Sequence, residues 1–466
     1  MTERHELEAH LDPHGQTHLL RHWDRLSADE RERLAAEIRA IDFVRLAKLH
    51  RGETAVDDWA GMAHRAQSPP SVRLDGTGYR YTAAEARAAG ERALRAGRVG
   101  AILVAGGQGT RLGFDHPKGM FPIGPVSNAT LFQILFEKAV ATARRYQTRI
   151  PLYLMTSPAT HDETVAFLDE HERFGMAAED LHVFCQATMP AVEADTGRVL
   201  LAQHGRLALS PDGHGGMLAA FEASGGLEDA KRRGLGHLFY FQVDNPLVQF
   251  CDPTFIGYHR LADSELSTQV VAKQAPNERV GNVVLVDDRV RIIEYSDLPA
   301  SAGERRAANG SLVLWAGNTA IHVFTVAFLD RVRGDDQQLP FHVARKAVPH
   351  VDEHGSAVEP KQPNAIKFER FIFDLLPAAK RSIVVEIDPA EGFAPVKNAS
   401  GSPTDSPETV QRTIAALHRQ WLLTAGAAVA DGVTVEISPL YALDADDVAN
   451  RILPGQEFNE NTYLGD

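Results

Sequence analysis

The sequence predicts an α/β protein built around a mostly parallel sheet, with a helical N-terminal element and a small strand-rich C-terminal part. The main observation is that short apolar runs alternate with helical patterns from about Val99 onwards, in the order VGAILVAGG, TLFQILFEKAVATARRY, IPLYLMTSP and HDETVAFLDEHERFG. Such alternation is typical of parallel sheets, in which ligands bind at the carboxyl ends of the strands. The second observation is a glycine-rich loop that directly follows the first apolar run.

The chain is expected to divide into three stretches, because 466 residues at 44% hydrophobic content are enough for two or three domains. Residues 1–95 form a helical region: apolar side chains recur at helical spacing from His18 to His50, and Ser27 with Glu30 makes a capping box. We expect this region to pack rather than to catalyse. The central stretch, 96–376, contains a hairpin in GNVVLVDDRVRIIEY. The last stretch, 377–466, contains AKRSIVVEI and VTVEISPLYAL as strands.

Charge and cysteine content exclude several classes of function. The 48 basic and 62 acidic residues give a net charge of −14, whereas nucleic-acid and anionic-membrane surfaces need a basic field. The start MTERHELEAH lacks an apolar signal core, and no segment approaches the ~18 consecutive apolar residues of a membrane span. We therefore expect a cytoplasmic protein. Cys185 and Cys251 are far apart in the sequence, which indicates neither a disulfide framework nor a thiolate metal site, and we expect both to be buried.

The strongest functional signal is the segment LVAGGQGTRLGFDHPKGMFPIG, residues 103–124. Its glycines allow backbone N–H groups to approach a ligand without an intervening Cβ, as in loops that cradle phosphate. Arg111 and Lys118 add two positive charges to this loop. The combination favours a nucleoside triphosphate that undergoes phosphoryl or nucleotidyl transfer.

Two familiar nucleotide-binding loops do not fit the segment. A dinucleotide fingerprint that starts at Gly107 would need glycine or alanine where Leu112 stands, which argues against a dehydrogenase. A Walker loop needs lysine directly after its last glycine, but Phe114 follows Gly113. The pattern that remains is GGxGTRLG, then three residues, then PKG.

This pattern resembles the signature of the sugar-nucleotide pyrophosphorylases, specifically the eukaryotic-type UDP-sugar branch and most closely the UDP-N-acetylglucosamine pyrophosphorylases. The resemblance runs along nearly the whole chain, through GQTHLLRHWDRLS, VDNPLV, VEIDPAEGFAPVKNA and VEISPL. It implies a Rossmann-like, GT-A-like nucleotidyltransferase sheet in residues 96–376. It also implies a uridylyltransferase that makes a UDP-sugar and pyrophosphate from UTP and a sugar 1-phosphate, with Mg²⁺ as cofactor.

The resemblance also assigns the nucleotide and metal contacts. Asp244, at the carboxyl end of FQVDNPLV, would bind Mg²⁺ together with phosphate oxygens, since magnesium favours few carboxylates plus substrate phosphates. Capping of the next turn is the alternative role for Asp244. Gln186 in FCQATMPAV would pair with the uracil edge. The residues implied to contact the nucleotide are Gly106, Gly107, Gly109, Gln186, Pro211 and Gly213. The residues implied to be catalytic through their charge are Arg111, Lys118 and Lys397.

The sugar contacts implied by the resemblance are His214, Asn245, Gly281, Glu294 and Asn318. Glu294 would accept hydrogen bonds from sugar hydroxyls, and Asn318 can both donate and accept. His214 is a departure, because the acetylglucosamine enzymes usually carry Asn there, whereas glucose-1-phosphate and broad UDP-sugar enzymes tend to show Gly-His-Gly. Three segments resemble the acetylhexosamine branch instead: AGNTAIHVF, PNAIKFERF and VEISPL. N-acetylglucosamine 1-phosphate is therefore the expected acceptor and glucose 1-phosphate the alternative.

The implied reaction is an in-line attack of the sugar phosphate on the α-phosphorus of UTP. Because this nucleophile is already anionic, catalysis needs positioning and charge stabilisation rather than a base. A non-catalytic UDP-sugar sensor is the rival class, but it would be expected to have lost some of the charged residues named above. We expect UTP and a sugar 1-phosphate as partners, no nucleic acid or membrane, and a monomer or weak homo-oligomer.

Overall fold

The computed structural model describes residues 3–53, 58–76, 79–334 and 339–465. Residue contacts group the chain into two compact units. We call Met1–Asp58, Gln186–Met217 and Asp335–Asp374 the N-terminal unit. We call Trp59–Cys185, Leu218–Gly334 and Leu375–Asp466 the sheet unit. These units do not coincide with the boundaries expected at residues 95 and 376, and the three-stretch division stays a prediction.

The sheet unit is built on a ten-stranded sheet. All neighbouring pairs along its main path are parallel except the two that involve Ala316–Thr325, which runs antiparallel to both neighbours. The strands on this path lie side by side in the order Ser71–Val72, Ser382–Glu386, Leu266–Ala272, Ala316–Thr325, His237–Gln242, Val99–Val104, Leu152–Thr156 and Leu181–Cys185. The mixed α/β fold with a mostly parallel sheet is therefore confirmed.

The predicted hairpin is also confirmed: Asn282–Val286 pairs antiparallel with Arg289–Ile293, and Asp287 and Asp288 take positive φ in its turn. The hairpin joins the main path through Asn282 and Gly317. Helices cover the sheet, and a large apolar core lies beneath them, with side chains such as Phe132 and Phe241 fully buried. The α-helices of the described residues are Glu3–Leu11, Ala28–Arg39, Phe43–His50, Trp59–Arg65, Ala83–Arg95, Leu131–Tyr146, His161–Glu170, Met217–Ala223, Gly226–Arg232, Pro253–Leu261, Ala300–Gly303, Val326–Val332, Pro389–Gly392, Pro407–Thr424 and Ala445–Ala449.

The N-terminal unit combines the expected helices with small antiparallel sheets. Its apolar core joins helical residues such as Leu34 and Ile38 to strand residues such as Phe368. The capping box of Ser27 and Glu30 is present at the start of Ala28–Arg39. The strands of this unit are Thr188–Pro190, Val192–Glu193, Leu201–Gln203, Arg206–Leu207, Leu209–Pro211, His342–Lys346, His350–Val351, Ala357–Val358 and Ala365–Glu369.

The strand Ser382–Glu386, predicted from AKRSIVVEI, pairs with Leu266–Ala272 in the central sheet, and the longest element after it is the helix Pro407–Thr424. The remaining strands of this part are short: Ala428–Val429, Val435–Ile437, Glu457–Phe458 and Thr462–Leu464. Cys251 is buried as expected, but Cys185 is exposed because it ends Leu181–Cys185, the strand at one edge of the sheet. Among the described residues, no helix is long and apolar enough to cross a membrane.

Candidate active site

The glycine loop follows the strand Val99–Val104 and folds back on itself. Gln108 and Pro117 form an isolated antiparallel bridge, and the Lys118 N–H donates to the Gly107 carbonyl at 3.0 Å. The Ser157 hydroxyl donates a hydrogen bond to the Gly106 carbonyl at 2.7 Å. A Cβ built on Gly107 would have no protein atom within 4 Å. The loop is thus fixed by its own backbone while its tip stays open to a ligand, as phosphate binding requires.

The charged residues predicted for the phosphates come together at the carboxyl ends of two adjacent parallel strands. Lys118 Nζ lies 3.7 Å from Asp244 Oδ2, and each side chain is only 16% exposed. Burial lowers the pKa of Lys118, the Asp244 carboxylate opposes that shift, and the charges of Lys397 and Arg111 reinforce it. The exposed Arg111 and the half-buried Lys397 therefore lie within electrostatic reach of Lys118. Such a concentration of cations is suited to a polyphosphate.

The loop that carries Lys397 is attached directly to the strand end that carries Asp244. The Val396 N–H donates to the Asp244 carbonyl at 2.9 Å. The Asn245 amide donates to the Gly392 carbonyl at 2.8 Å, and its oxygen accepts from the Ala394 N–H at 3.0 Å. These bonds give the buried Asn245 a positioning role toward the Lys397 loop. Its implied contact with the sugar stays a prediction.

Asp405 is a member of this cluster that the sequence analysis missed. Its carbonyl accepts the backbone N–H groups of Lys397 at 2.8 Å and Asn398 at 3.0 Å, and its φ is 54°. Burial raises the pKa of Asp405, and the charges of Lys397, Asp244 and Lys118 also act on it. The only local signal is that Asp405 precedes Ser406 and Pro407, the N-cap and first residue of a helix, which marks a helix start and not a site.

Three of the residues implied for the sugar, Gly281, Glu294 and Asn318, lie together in the sheet unit. The Asn318 N–H donates to the Gly281 carbonyl at 2.8 Å, and a Cβ on Gly281 would lie 2.9 Å from Glu294 Oε1. The Asn318 side-chain oxygen accepts from the Ala320 N–H at 3.0 Å, which supports the positive φ of 58° at Ala320. Left-handed backbone at a non-glycine residue costs about 1 kcal/mol and is concentrated at functional sites. The contact of Gly281, Glu294 and Asn318 with a sugar stays a prediction.

The remaining predicted residues lie in the N-terminal unit. Gln186 is buried, and Pro211 is an exposed residue at the end of a strand that pairs with Thr188–Pro190. Gly213 has a φ of 83°, and a Cβ there would clash with the backbone of Arg370, so this turn requires glycine. Their contacts with the base stay predictions.

His214 is held in one tautomer by the backbone. Its Nδ1 accepts the Ile372 N–H at 3.3 Å, which places the ring proton on Nε2. Its ring lies 5.4 Å from that of Phe371 and 5.5 Å from that of Phe373. Burial, reinforced by the neighbouring His342, lowers the pKa of His214 to about 4. The residue is therefore a neutral imidazole at physiological pH.

The cluster around Asp244 also fits a magnesium ion. Asp244 supplies a carboxylate next to Lys118, the Asp405 carboxyl lies within electrostatic reach of both, and Mg²⁺ prefers one or two carboxylates completed by phosphate oxygens and water. The described residues contain no group of three or more His, Cys, Asp or Glu side chains that would hold a metal by themselves.

Residues 74–433 match the family model described as UTP–glucose-1-phosphate uridylyltransferase. The chain belongs to this family. The family assignment made from the glycine loop and the later motifs is thus confirmed.

Several relatives match over nearly the whole chain. A human protein named UDP-N-acetylhexosamine pyrophosphorylase-like protein 1 is 37% identical and covers 100% of this chain and 97% of its own. The UDP-N-acetylglucosamine pyrophosphorylase of Saccharomyces cerevisiae is 35% identical over 91% of this chain and 92% of its own. Among solved structures, the uridine diphosphate N-acetylglucosamine pyrophosphorylase of Trypanosoma brucei superposes with a TM-score of 0.82 at 25% identity, covering 98% of each chain.

Proposed function

We propose that this chain is a uridylyltransferase that makes UDP-N-acetylglucosamine and pyrophosphate from UTP and N-acetylglucosamine 1-phosphate. The observation that carries the proposal is the cluster of Lys118, Asp244 and Lys397 beside an open glycine loop, at the carboxyl ends of adjacent parallel strands. The relatives named as acetylhexosamine and acetylglucosamine pyrophosphorylases support the choice of sugar.

In the proposed reaction, a phosphate oxygen of the sugar 1-phosphate attacks the α-phosphorus of UTP. The new P–O bond forms as the bond between the α-phosphorus and its bridging oxygen to the β-phosphate breaks, so pyrophosphate leaves with the electron pair. The backbone of the glycine loop orients the triphosphate, and Arg111, Lys118 and Lys397 neutralise the charge on the departing group. No general base is needed because the attacking oxygen carries no proton to remove.

The cofactor of the proposed reaction is Mg²⁺, which Asp244 would hold and to which Asp405 is placed to contribute charge. Bound there, the ion would neutralise phosphate oxygens and help to align them. The chain's own part is to keep Asp244 in place, through the bonds that Asn245 and Val396 make between the strand end and the Lys397 loop.

The test is a pyrophosphate-release assay with UTP and Mg²⁺ that compares three acceptors: N-acetylglucosamine 1-phosphate, N-acetylgalactosamine 1-phosphate and glucose 1-phosphate. A higher kcat/KM with an acetylated sugar supports the proposal. A higher kcat/KM with glucose 1-phosphate supports a second candidate, a UTP–glucose-1-phosphate uridylyltransferase, which the histidine at position 214 favours. If no pyrophosphate is released with any of the three acceptors, a non-catalytic UDP-sugar sensor becomes the better-supported function.

The variant His214→Asn separates these outcomes further. An asparagine can accept from the Ile372 N–H through its oxygen and donate through its nitrogen, as the Nε2–H tautomer of His214 does. If His214 only fills the place of an asparagine, the ratio of kcat/KM values for the acetylated sugar and glucose stays unchanged. A reversal of that ratio would make His214 the determinant of sugar choice. A cytoplasmic location and a monomer or weak homo-oligomer stay predictions.

A further inference from the structure

The sheet unit contains a cavity of about 520 Å³ that none of the predicted site residues lines. Ligand-binding pockets in proteins typically enclose ≈ 300–1,000 Å³. One wall comes from the helix Leu131–Tyr146, a second from residues 246–254, and a third from the helix Pro407–Thr424. Apolar side chains, among them Ile134, Leu247 and Leu417, form much of the surface. The cavity is therefore large enough and apolar enough to hold a small organic molecule.

Lys138 lies in this cavity and is held by two backbone carbonyl groups. Lys138 Nζ donates to the carbonyl oxygens of Pro246 at 2.6 Å and Val248 at 2.9 Å, and part of its side chain remains accessible. Both acceptors are neutral, and no carboxylate pairs with Lys138 among the described residues. Burial accordingly lowers the pKa of Lys138 to about 7. Placing a largely buried cation away from a counter-charge is costly, and a bound anion would relieve that cost.

His418 provides a second donor in the same cavity. Its Nδ1 accepts the Ile437 N–H at 3.0 Å, so its proton lies on Nε2. Burial, together with the positive charge of Lys138, lowers the pKa of His418 to about 3. Two of the acidic residues that line the cavity already accept hydrogen bonds: Glu436 accepts from Val126 and Ser127, and Glu137 accepts from Ser438. The end of the cavity near Lys138 thus offers hydrogen-bond donors to an incoming molecule.

We infer that this cavity binds a small organic anion, whose charged group pairs with Lys138 and His418 while its apolar part lies against Leu247 and Leu417. The cavity walls continue into the loops of the candidate active site. Residues 246–254 follow Asp244, and the helix Pro407–Thr424 follows the Lys397 loop. An anion that competes for the Lys138 protons would release the Pro246 and Val248 carbonyls. We therefore expect the anion and Mg²⁺·UTP to weaken each other's binding, and this part of the inference rests on the proposed function.

The test uses 8-anilinonaphthalene-1-sulfonate, an anion with an apolar body, and its neutral analogue N-phenyl-1-naphthylamine. Fluorescence titration should show one saturable site for the anion, and roughly tenfold weaker binding of the neutral analogue. Equal affinities for the two probes would overturn the role of the charge. Addition of saturating Mg²⁺·UTP should weaken the binding of the anion about threefold or more. An unchanged affinity in a protein that binds UTP would overturn the coupling, whereas a protein that binds the anion but not UTP would contradict only the proposed function.

Three variants locate the site. Lys138→Met removes the charge, and Leu417→Trp fills the cavity while keeping Lys138. Both should weaken binding of the anion about tenfold or more, with circular dichroism confirming the fold. Arg144→Met, which removes a cation from the exposed face of the same helix, is the matched control and should bind like the wild type. Wild-type affinity in folded Lys138→Met and Leu417→Trp would overturn the inference.

Discussion

Replacement of Lys118 by methionine is the perturbation whose effect follows most directly from the candidate site. Methionine keeps the length and apolar stem of lysine but removes the charge that lies 3.7 Å from Asp244 Oδ2. In the proposed reaction, negative charge accumulates on the departing pyrophosphate, and Lys118 is one of the groups placed to neutralise it. We therefore expect a loss in kcat with little change in folding.

The magnitude follows from Coulomb's law for a leaving-group charge placed about 4 Å from Lys118 Nζ. Two unit charges about 4 Å apart interact by about 4 kcal/mol at an effective dielectric constant of about 20. Each ~1.4 kcal/mol of barrier is a factor of ten in rate, which sets the loss near 10³-fold. Because Arg111 and Lys397 also act on this site, part of the stabilisation remains, and the expected decrease in kcat is about 10²- to 10³-fold.

The assay is pyrophosphate release under saturating UTP and N-acetylglucosamine 1-phosphate, accompanied by thermal unfolding. Lys118→Arg keeps the charge and should retain more activity than Lys118→Met. Lys380→Met, which removes an exposed lysine of the same unit, is the control and should leave kcat unchanged. A folded Lys118→Met variant with kcat within about threefold of the wild type would refute the charge-stabilisation argument.

Three further outcomes are expected. Asp244→Asn should raise the Mg²⁺ concentration for half-maximal activity about tenfold or more, because one carboxylate charge is lost from the metal site; an unchanged magnesium titration would count against that site. Gly107→Ala should raise the KM for UTP about tenfold while leaving Tm unchanged, because a Cβ there contacts no protein atom but would meet the phosphates; an unchanged KM would show that they do not approach this point. The pKa of His418 is 6.5 in the unfolded chain and about 3 in the fold. Because the unfolded chain binds a proton more readily, the free energy of unfolding is highest above pH 6.5 and decreases by about 1.4 kcal/mol per pH unit as the pH falls toward 3. His418→Asn, which keeps an acceptor for the Ile437 N–H, should therefore show a shallower fall of Tm between about pH 6.5 and 4.5 than the wild type, and identical slopes would contradict this role.

The sequence was most informative where one continuous stretch predicts both a secondary-structure element and a binding loop. The run before Gly106 predicted a buried strand, and the residues after it predicted a phosphate loop with Lys118. The structure places Lys118 next to Asp244 because their strands are adjacent and parallel, so that both carboxyl ends meet at one edge. Local pattern and topology rules together were sufficient for this part of the site.

The sequence was least informative where position depends on contacts between distant segments. A short apolar run such as Ser382–Glu386 predicts a strand. Nothing in the run indicates that this strand pairs with Leu266–Ala272, more than a hundred residues earlier. The same holds for Asp405, whose proximity to Lys397 comes from the path of a polar loop without a recognisable pattern. Cys185 was placed wrongly for a related reason, since its exposure follows from the edge position of its strand.

The most direct test of the proposed function is the fate of the α-phosphorus of UTP. The enzyme is incubated with Mg²⁺, N-acetylglucosamine 1-phosphate and UTP that carries a radioactive α-phosphate, and the products are separated by chromatography. Uridylyl transfer predicts that the label appears in UDP-N-acetylglucosamine, with one pyrophosphate released per labelled product. Label that stays in UTP, or that appears in UMP or UDP without a sugar nucleotide, would contradict the proposed reaction.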